Sequence, residues 1–90
     1  MVNFGGYEQL LATLESVEQQ LRALGRSKAA DRVEYATHFY VGSPTEFMGE
    51  SRIALRAVLA SEKGIPDTLV QLMKRTVDEI TAGFRSVGGE

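Results

Sequence analysis

Apolar residues recur along this chain at alternating intervals of three and four, in long runs broken at three places. Tyr7, Leu10, Leu14, Val17, Leu21 and Leu24 form one such stripe, widened by Leu11, while Glu8, Glu15, Gln19 and Arg22 fall off it. Spacing of this kind lines one side of an α-helix and predicts a first helix over about 7–24, packed along its length. Fewer than three heptads are present, which favours bundle packing over a coiled coil. Gly25 suits the position just past the helix end, and Arg22 and Arg26 suit the negative end of its dipole.

Ala29, Val33, Ala36 and Tyr40, with Ala30 and Thr37 beside them, predict a second helix over about 28–40 with Ser27 as its cap. Its small residues imply close approach to a neighbour. It is the shortest helix and the least able to stand alone.

The stretch Gly42-Ser43-Pro44-Thr45-Glu46-Phe47 ends that helix and starts the next. Ser43 reads as N-cap, Pro44 as the first helical residue and Glu46 as the partner in a capping box. Gly42 is expected to turn to positive φ. The third helix runs over about 44–63 on the stripe Phe47, Met48, Ala54, Leu55, Val58 and Leu59. Gly64 and Ile65 read as a Schellman ending, with Pro66 blocking continuation and Asp67 in the first turn of the next helix. The fourth helix, over about 66–85, buries Leu69, Val70, Met73, Val77, Ile80 and Phe84, with Gly83 near the inner edge. Three short connections favour antiparallel neighbours. The expected fold is therefore an all-α, four-helix antiparallel up-down bundle, open to completion by dimerisation. Residues 1–90 make one domain, with flexible ends at about 1–5 and 87–90. No stretch alternates with period two over a useful length, so no sheet is expected.

Composition adds limits rather than a function. Hydrophobic residues at 43% and charged residues at 24% are ordinary for a globular chain. A net charge of −2 argues against a general binder of nucleic acid or anionic membrane, and neither partner is expected. The second and third helices resemble a helix-turn-helix only in outline, because the turns that would face phosphates carry Glu46 and Glu50. The absence of cysteine excludes disulfides and thiolate metal sites. Met1 to Gly6 carries neither a basic nor an apolar segment, and no apolar run approaches a membrane span, so the cytoplasm is the expected compartment.

Catalytic chemistry has little to start from. The single histidine, His38, points away from the apolar face, with Glu34 four residues before it as an ordinary surface partner. A carboxylate-bridged metal site in a bundle needs Glu-x-x-His pairs, and none is present; Glu18 and Glu62 sit at the rims of their stripes. Neither a catalytic residue, nor a cofactor, nor a metal is expected. The basic residues Arg22, Arg26, Lys28 and Arg32 around the first connection read as dipole compensation, or as a site for an acidic partner.

What the simplest bundle leaves over is apolar surface. Tyr35, Phe39 and Ile53, together with Leu72, lie off the faces it would bury, and Arg52 and Arg56 flank Ile53. Tyr35, Phe39, Arg52, Ile53 and Arg56 are the candidate interface, unless the second and third helices are sandwiched deeply enough for both flanks to be core. The expectation is a non-enzymatic interaction protein that self-associates as a homodimer or docks another protein through its second and third helices. Two alternatives remain open: an antitoxin- or immunity-type protein using Asp31, Glu46 and Glu50 against a basic partner, and a ligand-binding bundle with a pocket near Tyr35 and Tyr40.

Overall fold

Leu10, Leu14, Val17 and Leu21 are fully buried, which is what a stripe at this spacing demands of α1, Tyr7–Ala23. In the structure, a computed structural model that describes residues 6–86, three more helices complete the fold. They are α2, Ser27–Thr37, α3, Pro44–Ser61, and α4, Asp67–Ser86. Each helix packs on the one before it, and α4 returns to touch α1, giving the antiparallel up-down bundle. The sequence's proposed flexible ends, about 1–5 and 87–90, lie outside the described residues.

One core runs through all four helices. Ala29, Ala30, Val33 and Ala36 of α2 meet Phe47, Leu55 and Val58 of α3, and Leu69, Met73, Ile80 and Phe84 close it from α4. The stripe of α1 is shorter than its spacing implied: Tyr7 and Leu24 at its two ends are exposed. Two buried hydroxyls satisfy themselves locally. Ser51 donates to the Phe47 carbonyl at 2.7 Å and Thr76 to the Leu72 carbonyl at 2.7 Å.

The helix ends hold several corrections. α1 closes as a full Schellman motif, with the Arg26 amide on the Leu21 carbonyl at 2.9 Å and the Gly25 amide on the Arg22 carbonyl at 3.0 Å. Gly25 supplies the required φ of +77°. Because this closure uses the Arg26 amide, α2 begins one residue early: Arg26 is the N-cap, without a side-chain cap, and Ser27 is helical rather than capping.

At its other end α2 does not continue to residue 40. His38–Val41 winds into a 3₁₀ turn, and Gly42 follows at φ −102°, not in the left-handed region. The tighter turn swings Tyr40 onto Phe47, ring edge to ring face at 5.5 Å. α3 then starts as expected at Pro44, with the Glu46 amide donating to Ser43 Oγ at a long 3.4 Å. The return bond from the Ser43 amide to the Glu46 carboxylate is not made among the described residues. α3 also stops at Ser61 rather than about 63, and Glu62 is extended, so Gly64 at φ +73° shapes the connection instead of a Schellman ending. Arg26 explains the early stop: its guanidinium donates to Glu62 Oε1 at 2.7 Å and to the Lys63 carbonyl at 2.8 Å, tying the first connection to the third.

Gly25→Ala tests the Schellman closure cleanly. A Cβ there would meet nothing within 4 Å, so only the backbone resists it. The expected cost is about 1 kcal/mol, read as a lower urea midpoint. An unchanged midpoint would show that the turn relaxes without loss.

Candidate functional site

The charged side chains divide into two sets. On the α1–α2 side they bond to one another. Arg22 reaches Glu18 at 2.9 Å, Asp31 at 3.0 Å and Glu34 at 2.9 Å. The Glu18 bond foremost, then the Asp31 bond, raises the guanidinium pKa above its ordinary range. Arg22, in the last turn of α1, and Arg26 thus also tie elements together. Glu34 is engaged by Arg22, so the expected surface pair with His38 is not formed, and His38 is exposed on the 3₁₀ turn. Asp31 is likewise held by Arg22, which leaves Glu46 and Glu50 as the remainder of the proposed acidic face.

On the α2–α3 side several charges are unspent. Lys28, Arg32, Glu46 and Glu50 form no ion pair among the described residues. Here a groove runs between the two helices. A depression of about 280 Å³ at the first connection shares Lys28, Ala29 and Glu62 with a second of about 270 Å³. A third, of about 80 Å³, shares Arg32 with the second and is lined by Tyr35, Glu50, Ile53 and Ala54. Tyr35 and Ile53, expected to be surplus to the core, stand at its rim 58% and 53% exposed.

The other candidate residues are placed differently. Phe39 is half-buried and packs against the core, its ring meeting Tyr35 edge-on at 5.3 Å. Leu72 also packs against the core. Arg52 turns toward α4, stacking over Phe84 at 4.7 Å and donating to Thr81 Oγ1 at 3.1 Å. Arg56 is exposed beside Ile53. The structure therefore brings Tyr35 and Ile53 together, keeps Arg56 near them, and directs Arg52 and part of Phe39 inward. Tyr40 faces Phe47 while Tyr35 faces Phe39, so the two phenols do not share one pocket wall.

Sequence reasoning named Lys28 and Arg32 as a basic cluster and Glu50 as part of an acidic face, but missed that they share one site with Tyr35 and Ile53. The signal was present in the spacing. Lys28, Arg32 and Tyr35 lie four and three apart, as do Glu46, Glu50 and Ile53, so each trio shares one helix face with its apolar residue. No three or more acidic or histidine side chains gather to hold a metal among the described residues, and no helix there is long and apolar enough to cross a membrane. Comparison with protein-family models, curated proteins and solved structures gives no match. Function must therefore be argued from these side chains.

Proposed function

We propose that this chain is a cytoplasmic, non-enzymatic protein-interaction module that docks through the face formed by α2 and α3. One observation carries the reading: Tyr35 and Ile53, both more than half exposed, border the same depression on adjacent helices. A lone exposed apolar residue is ordinary, but two on facing helices, joined by a groove, make a patch that water covers at a cost. Tyrosine and arginine, the residues that contribute most to binding energy, are both present, as Tyr35, Arg32 and Arg56. The unspent charges beside the patch suit a polar rim around it.

A photo-crosslinking amino acid placed at Ile53 tests this in the cell that makes the protein, with Gln19, exposed on α1, as control. A discrete adduct from position 53 and none from position 19 is expected. Adducts from both positions, or from neither, would remove the α2–α3 face as a docking surface. The adduct's mass separates a second copy of the chain from a different protein.

A further inference from the structure

The two charged trios along the groove are arranged in a way that singles out one occupant. Arg32 and Lys28 lie three and seven residues before Tyr35 on α2, and Glu50 and Glu46 lie three and seven residues before Ile53 on α3. At 1.5 Å of rise per residue, each charge stands about 4.5 or 10.5 Å from its apolar residue. The helices are antiparallel, so the same spacing runs in opposite directions. From the Tyr35–Ile53 level, Lys28, Arg32 and the exposed Arg56 lie toward the first connection, where Glu62 is held by Arg26, and Glu50 and Glu46 lie toward the second. Tyr35 and Ile53 line one depression together with Arg32 and Glu50, the nearer charge of each trio.

A surface that is apolar at its centre, with opposite charges at matched distances on either side, is complementary to itself turned end for end. We propose that the partner on the α2–α3 face is a second copy of this chain, related by a two-fold axis that runs across the groove at Tyr35 and Ile53. This rests on the docking reading above and specifies its occupant. The axis stacks the Tyr35 and Ile53 patches of the two copies on each other. It also sets Arg32 and Lys28 of each copy at the level of Glu50 and Glu46 of the other. Such an interface is isologous and closes at two copies. The α1–α2 side offers no such match, because Arg22 already holds Glu18, Asp31 and Glu34.

The face is small. α3 has 18 residues. α2 has 11 residues, so at 1.5 Å per residue the two helices run side by side for only about 16 Å, which places the face at or below the low end of what specific interfaces bury. A face this small suits weak association, within the micromolar span tested below, with a marked dependence on salt.

The experiment is sedimentation equilibrium from about 5 to about 500 µM, a span that brackets a micromolar constant. It is run on the wild type, Arg32→Glu, Glu50→Arg, and an equal mixture of the two variants, with circular dichroism confirming that each is folded. Arg32 is exposed and Glu50 half-exposed, so both variants are expected to keep the bundle. The wild type should dimerise. Each variant alone sets like charges level with each other at two symmetric places and should weaken association by about a hundredfold. The mixture should recover it. In the heterodimer the two substituted side chains lie at one level with opposite charge, and the unsubstituted Glu50 of one copy lies level with the unsubstituted Arg32 of the other.

A wild type monomeric over the whole range overturns the proposal. In that case a position-53 adduct to a different protein would leave the docking reading standing, whereas no adduct would remove both. A dimer unaffected by either substitution, or a mixture that stays monomeric, also overturns this arrangement.

Discussion

Phe47→Ala should leave this domain barely folded, with a loss of about 3–5 kcal/mol. Phe47 is 1% exposed at the start of α3, where its amide bonds the Ser43 carbonyl at 2.9 Å. Its ring makes a T-shaped pair with Tyr40 at 5.5 Å, and its carbonyl accepts the buried Ser51 hydroxyl. Alanine removes the ring from the place where the 3₁₀ turn, α3 and the core meet, and the helix start holds the backbone so that the gap cannot close. A domain of this size has about 5–15 kcal/mol in all, so a large share of the stability goes with one side chain. Urea unfolding, followed at low protein concentration so that association does not add to the midpoint, should show a fall of about 2 M or more. Phe47→Leu should recover most of it. A loss below about 1 kcal/mol for alanine would mean that Tyr40 collapses into the space.

The second large effect separates two neighbouring aromatics. Phe39→Asp should destabilise the bundle by about 2–3 kcal/mol, because it removes a half-buried ring from the core and leaves a carboxylate there. Tyr35→Asp, one turn away and 58% exposed, should cost no more than about 1 kcal/mol, most of it the lost contact with Phe39. Thermal unfolding of both at one concentration decides the matter. Equal losses would mean that Tyr35 is structural as well, and would take from the α2–α3 face its clearest apolar residue.

This contrast also marks how far the residues could be read unaided. α1 and α4 were legible to within a residue or two because their stripes run uninterrupted, and a helix buried along its length has only one way to satisfy such a pattern. The fate of α2 was not. Its last turn tightens because Tyr40 must reach Phe47, seven residues on and in another helix, and nothing local to His38 or Gly42 announces that. The early stop of α3 has the same origin, since Arg26, 36 residues from Glu62, holds the connection open. Of the candidate site, the apolar pair was visible as residues left off the core faces. Its charged surroundings were not, because spacing along one helix does not say which charges another helix will neutralise. Arg22 takes up Asp31 and Glu34, and only then do Arg32 and Glu50 stand out as unclaimed.

The neighbour-on-neighbour packing of α1 to α2, α2 to α3 and α3 to α4 has a kinetic meaning. Most stabilising encounters join segments that a connection of a few residues already holds close, so little loop-closure entropy has to be lost before they form. Such a chain assembles hairpin by hairpin, on the microsecond to millisecond scale of low-contact-order helical proteins. A newly made copy would then have its Tyr35 and Ile53 patch in finished form well before it diffuses into another.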